Sequence, residues 1–556
     1  MQLYCLNIKE YIGVPGGITL SQIASILGDR LPFRPVCATV NNKAEALSFP
    51  LYAPKQIEFA DARSPLGRRA VVRSLCMMLY RAVATCLPGL TLRMEHSVSR
   101  GYYCRLFTSD DTPRNVSPDE VAMIREEMCA LAERELPFER HEKLTSDVIE
   151  IFKAQHLDSK VLLLETTGEL YTTYYTLDGL ADSYYGPLVP DTGCLRVFGL
   201  ESFREGMLLL PPSAEDPQAA AVPCEQPRLF KAFTDYLNFN RVIKVSTVGE
   251  LNRVVQRRET AELINVAEAM HDKLLGRISD EIAARYRQGG ARVITLAGPS
   301  SSGKTTTTKR LAIQLMTNLM TPRMISLDDY FVDREKTPLD STGDYDYEHL
   351  HALDLDRLHS DLRRLLAGET INLPTYSFEL GRRIDRERPL RLDPGEVLLI
   401  EGIHGLNPEL TAGLNTDEVY KVYVSALTTL AIDDHNWIST TDSRLLRRIV
   451  RDHKYRHTSA LSTLRRWGSV RRGEERWIFP YQENADATFN SSLIFEMGVM
   501  KDYAEPLLRQ VPHDDPQYAE AYRLLRLLEY FTPIPADQIP STSLLREFLG
   551  GSSFRY

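Results

Sequence analysis

The stretch Gly298-Pro-Ser-Ser-Ser-Gly303-Lys304-Thr305 lies between an apolar run, Val293-Ile-Thr-Leu-Ala297, and a helix-prone segment at 306–320. A buried strand, a glycine turn and a helix N-terminus, in this order, form the setting in which a G-x-x-x-x-G-K-T pattern binds phosphate. The glycines let backbone N–H groups close around phosphate oxygens, and the helix dipole favours an anion. The stretch therefore predicts a site for a nucleoside triphosphate.

Individual positions in this loop are expected to have separate roles. Lys304 should reach the terminal phosphates, and the Thr305 hydroxyl should ligate Mg²⁺. The other nucleotide contacts are expected from the loop and its first helical turn, namely Gly298, Pro299, Ser300, Ser301, Ser302, Gly303 and Thr306. ATP and Mg²⁺ are the expected cofactors.

Two acidic residues follow predicted strands in the same region. The strand at 323–326 ends just before Asp328, and the apolar strand at 396–400 ends in Glu401. Parallel strands place such acids at the crevice where α/β folds bind ligands, so Thr305, Asp328 and Glu401 are predicted to arrange the metal ion. Either acid alone would equally suit a helix cap or a turn. The predicted fold class is α/β, with a doubly wound parallel sheet.

Composition narrows the class of protein. The chain has 556 residues, 43% of them apolar and 25% charged, and a net charge of −9, which argues against a surface that coats nucleic acid. No apolar stretch reaches the ~18 residues of a membrane span, and the N-terminus has no signal-peptide pattern. The eight cysteines lie in the first 224 residues without a C-x-x-C spacing. A reducing, cytoplasmic location is therefore expected.

Ordered motifs between residues 290 and 500 resemble those of the uridine kinase family, within the phosphoribulokinase/uridine kinase group of P-loop kinases. Beyond the phosphate loop they are Ser326-Leu-Asp328-Asp-Tyr330-Phe331, Tyr345-Asp346-Tyr347-Glu-His349, Pro374-Thr-Tyr376-Ser-Phe378, Glu401-Gly402-Ile403 and Arg444-Leu-Leu-Arg447-Arg448-Ile-Val-Arg451-Asp452. The resemblance implies a kinase that transfers the γ-phosphate of ATP to the 5′-hydroxyl of a nucleoside. It also implies that Asp328 is the catalytic base, that Asp346 holds ribose hydroxyls and that Tyr376 lines the base pocket.

The arginine-rich segment is expected to be a lid helix. Arg448 and Arg451 lie three residues apart on one helix face, so both could reach the transferring phosphoryl group beside Lys304. Arg456 follows and is expected to contact substrate. Eleven Lys or Arg residues against three acids between 444 and 476 leave a second interpretation open, a solvated basic helix or one that meets RNA.

The sequence predicts which substrate is used, but it leaves an alternative class of substrate open. Where the family commonly places a His, this chain has Gly381, followed by Arg382-Arg383. An arginine fork can read a base carbonyl or bind a phosphate already on the substrate, so Arg383 is a predicted substrate contact. Uridine or cytidine is expected. The alternative is a kinase of another hydroxyl-bearing metabolite, such as a sugar phosphate or pantothenate.

Residues 1–212 resemble the N-terminal half of threonyl-tRNA synthetase, a ubiquitin-like TGS module followed by an editing domain. The matching pieces are Arg73-Ser-Leu-Cys-Met77, Gly101-Tyr-Tyr, Leu136-Pro-Phe-Glu-Arg140 and Tyr184-Tyr-Gly-Pro-Leu-Val-Pro-Asp-Thr-Gly193. Arg73 and Met77, and Tyr184 and Leu188, stand where the family has H-x-x-x-H and C-x-x-x-H. Met and Leu can neither act as a base nor bind a hard metal, so a scaffold without editing chemistry is expected. His96 and His141 are expected to be structural.

Five segments are predicted: a TGS-like β-grasp module at 1–62, an editing-like α+β domain at 63–212, a linker and helical connector at 213–288, the kinase domain at 289–505 and a helical extension at 506–556. The Pro/Ala-rich run at 211–227 is the clearest boundary. Residues 46–49 and 161–164 are predicted strands.

Partners and competing functions follow from these segments. A nucleoside is the expected small-molecule partner, no membrane is expected, and a homo-oligomer is expected. The remaining alternative is an RNA-binding or regulatory protein, in which the N-terminal half contacts RNA and the kinase domain acts as a sensor.

Overall fold

The computed structural model describes residues 1–340, 343–384 and 386–555. At the N-terminus, a five-stranded mixed sheet in the order β2-β1-β7-β4-β5 packs against one helix. Its elements are β1 (Gln2–Cys5), β2 (Glu10–Gly13), β3 (Ile18–Thr19), α1 (Leu20–Leu27), β4 (Cys37–Val40), β5 (Lys43–Glu45), β6 (Pro50–Leu51) and β7 (Gln56–Ala60), with β3 paired to β6. The helix begins at a capping box between Thr19 and Gln22.

One strand in this region lies earlier than the sequence predicts. Asn41 and Asn42 both have positive φ, at 48° and 60°, and form the two-residue turn that links β4 to β5. Such a turn starts the next strand immediately, because its twist matches that of the flanking strands. The partner strand is therefore Lys43–Glu45, and the prediction of a strand at 46–49 is wrong.

Two antiparallel sheets and four helices form the next region. The elements are α2 (Pro65–Cys86), β8 (Thr91–Val98), β9 (Gly101–Phe107), β10 (Pro113–Arg114), α3 (Pro118–Glu133), β11 (Glu139–Leu144), α4 (Thr145–Ala154), α5 (Asp158–Thr167), β12 (Tyr171–Leu177), β13 (Leu180–Asp182), β14 (Gly199–Phe203) and β15 (Gly206–Leu210). One sheet has the order β10-β9-β15-β14, with β8 paired to β9, and the other is β11-β12-β13.

The predicted strand at 161–164 is wrong, because these residues lie inside α5. Val161 and Leu164 pack into the core of the editing-like region, whereas Leu163 packs into the core of the kinase region. A helix held between two cores is apolar on more than one face, so its sequence loses the helical period and resembles a buried strand.

Residues at the positions of the editing motifs are buried. Met77 and Leu188 are each 1% exposed, and Arg73 donates to the Pro187 carbonyl at 2.9 Å. His96 stacks on Phe233 with ring centroids 3.9 Å apart, and burial lowers the pKa of its imidazole to about 3. His141 Nε2 lies 3.0 Å from the Thr176 hydroxyl.

Helices connect this region to the kinase. After the irregular run at 211–226 come α6 (Pro227–Val242), α7 (Val248–Gln256) and α8 (Thr260–Arg287). The run is anchored where Gln226 accepts from the Ser99 backbone N–H at 2.7 Å. The apolar side of α8 packs with the helix that follows the phosphate loop in one continuous core.

Five parallel strands form the kinase sheet, in the order β17-β22-β16-β23-β26, which confirms the predicted α/β class. The elements of the region are β16 (Val293–Ala297), α9 (Lys304–Thr317), β17 (Thr321–Ser326), α10 (Leu355–Leu366), β18 (Ile371–Asn372), β19 (Tyr376–Ser377), β20 (Arg382–Arg383), β21 (Pro389–Leu390), β22 (Glu396–Glu401), β23 (Val419–Ser425), β24 (Ala431–Asp433), β25 (Asn436–Trp437), α11 (Thr440–Arg456), α12 (Ala460–Trp477), β26 (Ala487–Asn490) and α13 (Glu496–Leu508). All five residues of β16 are buried, as its apolar sequence predicts.

The last residues continue the kinase core. Helices α14 (Tyr518–Glu529) and α15 (Arg546–Leu549) follow α13, which itself crosses the predicted boundary at 505–506. Leu544, Leu545 and Phe548 are fully buried in the same cluster as β16 and α9. No helix in the described ranges is both long and apolar enough to span a bilayer.

Candidate active site

The phosphate loop connects the central strand β16 to α9. A Cβ on Gly298 would lie 1.9 Å from the Val424 carbonyl oxygen, so only glycine fits there. Gly303 has φ +82° and, as the N-cap residue of α9, supplies no capping side chain. The hydroxyls of Ser301 and Ser302 are buried without a hydrogen-bond partner among the described residues. A helix N-terminus without an N-cap side chain, beside buried hydroxyls without partners, is suited to an anion.

Lys304, Thr305 and Glu401 meet at the carboxyl edge of the sheet. The Lys304 ammonium donates to the Pro299 carbonyl at 3.1 Å, and the Thr305 hydroxyl lies 3.1 and 3.2 Å from the two Glu401 carboxylate oxygens. Parallel pairing of β17 with β22 puts Ser326 opposite Glu401, which brings Asp328 to the same edge. The structure therefore assembles the predicted metal-binding set from three separate elements.

Magnesium ordinarily keeps one or two protein carboxylates and takes its other ligands from phosphates and water. Glu401 and Asp328 supply two carboxylates, and Thr305 adds a hydroxyl. Within residues 1–340, 343–384 and 386–555, no cluster of three or more His, Cys, Asp or Glu side chains has the geometry of an all-protein metal cage. The donor set thus fits a metal ion held jointly with a nucleotide.

Asp328 opens onto the cleft, yet protein atoms crowd its carboxylate. This crowding raises the pKa of Asp328 above its usual range, while Lys304 and Arg456 lower it in part. Burial raises the pKa of Glu401 to about 7, assisted by the negative charge of Asp328 and of Glu547 and opposed by Lys304. The pKa values of both acids are thereby brought closer to neutral pH, as is common for groups that exchange protons or bind a metal ion during a reaction.

We expect Mg²⁺-ATP to bind more tightly as the pH rises from about 6 to about 8, because a protonated Glu401 cannot ligate the metal. The raised pKa of about 7 means that the charged form of Glu401 is lost as the pH falls through that value. Calorimetry in two buffers of different ionisation enthalpy would measure proton release on binding. Glu401→Gln should flatten the pH dependence, and an equally steep dependence in that variant would contradict the assignment.

The arginines of α11, the helix predicted to be a lid, separate into two groups. Arg444 and Arg447 are buried, at 1% and 0% exposure. Arg444 Nε donates to the Ser300 carbonyl at 2.9 Å, and Arg447 pairs with Glu496 at 2.5 Å. These two position the loop, a role that sequence alone did not assign.

The second group faces the cleft and shares one acceptor. Asp452 lies 3.2 Å from Arg448, 3.1 Å from Arg451 and 3.3 Å from Arg456. Arg448 also donates to the Ser300 hydroxyl at 2.9 Å. Three guanidinium groups on one carboxylate leave an excess of positive charge at the mouth of the loop, which suits a transferring phosphoryl group.

Aromatic side chains line the far side of the cleft. The ring of Tyr376 lies 5.6 Å from Phe331 and 5.1 Å from Phe378, and Phe331 lies 6.5 Å from Tyr347, measured between centroids. Phe378 remains 56% exposed. The predicted base-pocket residue thus belongs to an aromatic wall on which a flat ring can stack.

This motif contains two acids, Asp346, whose predicted contact with ribose stays a prediction, and Glu348, for which the sequence predicted no role. The Asp346 carboxylate accepts the backbone N–H of Glu348 at 3.1 Å and stabilises a turn. Glu348 lies near Lys304 and Arg448, and burial together with Glu474 raises its pKa to about 7. The only signal in the sequence was a second acid two residues further along the same motif.

The guanidinium of Arg383 forms hydrogen bonds and an ion pair within the protein. Its guanidinium donates to the carbonyls of Phe331 and Tyr330, each at 3.2 Å, and pairs with Asp354 at 2.8 Å. Each nitrogen of the guanidinium makes one of these bonds, and Arg383 thereby ties the hairpin of β19 and β20 to the segment that follows Asp328, while its predicted substrate contact stays a prediction.

Comparisons with known proteins agree with this geometry. Residues 293–494 match the model of the phosphoribulokinase/uridine kinase family. A uridine kinase of Brevibacillus brevis is 31% identical over 199 residues, covering 36% of this chain and 84% of that protein. Uridine kinase of Staphylococcus aureus is 29% identical over 197 residues, covering 35% and 84%.

The N-terminal region has different relatives. Threonine–tRNA ligase of a Geobacter species is 25% identical over 189 residues, covering 34% of this chain but only 29% of the ligase. Among solved structures, a possible uridine kinase from Bacillus stearothermophilus is 20% identical with a TM-score of 0.25, covering 36% of this chain and 89% of that one. A D-glycerate 3-kinase from Cryptococcus neoformans is 14% identical with a TM-score of 0.21, covering 46% and 87%.

The phosphate loop, the acids at the edge of the sheet and the match over most of a uridine kinase all fall in one segment. Through residues 293–494, this chain belongs to the phosphoribulokinase/uridine kinase family.

Proposed function

We propose that this chain is an ATP- and Mg²⁺-dependent nucleoside 5′-kinase of the cytoplasm, with uridine or cytidine as substrate. The observation that carries the proposal is the placement of Asp328 beside Lys304 and the Thr305–Glu401 pair. A binding module has no need of a carboxylate with a raised pKa beside its phosphate loop.

The proposed reaction is an in-line transfer. The 5′-hydroxyl oxygen forms a bond to the γ-phosphorus as the bond from that phosphorus to the bridging oxygen of ADP breaks, and the Asp328 carboxylate accepts the hydroxyl proton. Lys304 and the loop N–H groups hold the β- and γ-phosphates, and Arg448 and Arg451 stabilise charge on the phosphoryl oxygens. The bound Mg²⁺ would neutralise charge that develops on the β- and γ-oxygens.

The hydrogen bonds that Arg383 makes within the protein favour a substrate without a phosphate group. A sugar phosphate needs a cation at the end of the cleft away from the reacting hydroxyl, and the guanidinium predicted for that role already bonds to Asp354 and to two carbonyls. The exposed ring of Phe378 beside Tyr376 offers a stacking surface for a base instead. These contacts support a nucleoside over the alternative metabolites.

Glu348→Gln is expected to raise the KM for the nucleoside by about 10- to 100-fold with a smaller change in kcat, because hydrogen bonds to an ionised acceptor are the stronger ones. Glu348 faces Lys304 and Arg448 and is half-buried, where it can accept ribose hydroxyls. Asp346→Asn is the matched control, since that carboxylate stabilises a turn. A larger KM effect in Asp346→Asn would restore the original assignment.

The proposal is tested by ADP release from Mg²⁺-ATP with uridine, cytidine, purine nucleosides, thymidine, ribulose 5-phosphate and pantothenate, with Asp328→Asn as the blank. Turnover with a nucleoside that disappears in the blank would support the proposal. Turnover with ribulose 5-phosphate or pantothenate alone would replace the substrate class. If no acceptor caused ADP release and the protein bound tRNA in a salt-dependent manner, the RNA-binding alternative would replace the kinase proposal.

A further inference from the structure

The C-terminal segment, defined here as residues 543–555, lies against the phosphate loop. The Glu547 carboxylate accepts the Thr306 backbone N–H at 3.1 Å and the Thr306 hydroxyl at 2.7 Å, although the two residues are 241 positions apart. Thr306 belongs to the first turn of α9, whose N–H groups are the donors that a nucleotide phosphate would use. The Glu547 carboxylate therefore occupies a position that is suited to a phosphate group of a nucleotide.

The same segment packs on the turn of the loop and on the lid helix. The side chain of Leu544 lies so close to Gly303 that a Cβ there would stand 2.6 Å from its Cδ2 atom. The Phe548 ring lies 5.2 Å from the guanidinium of Arg447, and Lys454 donates to the Leu549 carbonyl at 2.6 Å. Because Arg447 and Lys454 belong to α11, the segment bridges the two elements that must hold a nucleotide between them.

Charge also opposes a nucleotide while the segment is in place. Glu547 adds a carboxylate to those of Glu401, Asp328 and Glu348 around the ammonium of Lys304. A triphosphate entering the loop would meet this negative charge at short range, where screening by solvent is weak. Moving the segment away removes both the occupied donors and the repulsion.

We propose that the C-terminal segment is a built-in competitor for the nucleotide, in which the Glu547 carboxylate takes the place of a phosphate at Thr306 and is displaced when Mg²⁺-ATP binds. The apparent affinity for nucleotide is then reduced by the fraction of molecules in which the segment is docked. The inference rests on the proposed nucleotide site but not on the identity of the phosphate acceptor.

The competing explanation is a structural one, in which Glu547 only caps α9. The two explanations differ in the effect of Glu547→Gln on nucleotide binding. Glutamine keeps an acceptor for Thr306 but loses the charge, and a neutral hydrogen bond is weaker than one to a carboxylate. A cap alone predicts lower thermal stability with unchanged nucleotide affinity, whereas a competitor predicts higher nucleotide affinity.

Calorimetric titration of the full chain with Mg²⁺ and the non-hydrolysable analogue AMP-PNP provides the first test. Glu547→Gln is expected to lower the Kd by about tenfold, in keeping with the loss of one charge-assisted contact to a competing group. Asp537→Asn removes one negative charge from an exposed position of the same terminal region and should leave the Kd within about twofold. Equal nucleotide affinity in wild type and Glu547→Gln would overturn the proposal and support the explanation in which Glu547 only caps α9.

Hydrogen exchange provides the second test. The amides of Leu549 and Gly550 donate to the carbonyls of Leu545 and Arg546, so they are protected while the segment is folded in place. Saturating Mg²⁺-AMP-PNP is expected to speed their exchange, and slower or unchanged exchange would overturn the proposal. If neither wild type nor Glu547→Gln bound AMP-PNP at all, the proposed nucleotide site would fail and this inference with it.

Discussion

Asp328→Asn is expected to lower kcat by about 10²- to 10⁴-fold, the usual contribution of a positioned general base. The substitution keeps the shape of the side chain and the hydrogen bond from its backbone N–H to Ser326, but an amide cannot accept the proton of the attacking hydroxyl. The raised pKa of Asp328 adds a second expectation. Since its ionised form is lost as the pH falls through that raised value, wild-type kcat/KM should decline on the acidic side.

The matched control is Asp329→Asn, one residue along the chain. Asp329 pairs with Arg388 at 2.9 Å and lies outside the Lys304 cluster, so its loss should reduce kcat far less. The Kd for AMP-PNP measured beside kcat separates chemistry from binding. Retention of near-wild-type kcat in Asp328→Asn would transfer the role of base to another carboxylate, with Glu348 next in position.

Lys160→Met is expected to lower the free energy of unfolding by about 3–5 kcal/mol, because it strands two buried carboxylates without their common cation. Lys160 lies on α5 of the editing-like region and is 1% exposed. It pairs with Asp182 at 2.7 Å and with Asp433, on the β24–β25 hairpin of the kinase region, at 2.8 Å. His435 of the same hairpin pairs with Asp182 at 2.8 Å. This network joins the two halves of the chain.

The contribution of this network to the free energy of unfolding changes with pH in a direction that can be predicted. Burial opposes ionisation of Asp182, but Lys160 and His435 outweigh it and hold the pKa of this carboxyl well below its ordinary value of 3.8. Its contribution to stability is therefore complete above that value and is lost as the pH falls through the lower, folded-state pKa. The difference in stability between wild type and Lys160→Met should shrink toward acidic pH.

Urea unfolding followed by tryptophan fluorescence measures the effect, since Trp437 lies on the hairpin, 4.5 Å from the ring of Tyr102. Lys153→Met is the matched control, because that lysine is at the surface and its ion pair with Glu150 is open to solvent. The control should unfold at the wild-type midpoint. Equal midpoints for Lys160→Met and Lys153→Met would show that the network does not hold the halves together.

Sequence reasoning succeeded where the chemistry is local. The phosphate loop lies within one short run of strand, turn and helix, from Val293 to Thr317. It failed where a residue's environment comes from elsewhere in the chain. The run at 161–164 resembles a strand because two cores cover it, and the sequence around Arg383 does not indicate its ion pair with Asp354.

The sequence by itself determined the class of the kinase domain and its phosphate loop, because each depends on residues close together in the chain. Only the tertiary structure decided that Glu348 rather than Asp346 faces Lys304, that the editing-like region docks onto a kinase hairpin through Lys160, and that Glu547 reaches Thr306. Contacts between residues hundreds of positions apart leave no periodic pattern along the chain. They are set by which faces pack together once the sheets and helices have formed.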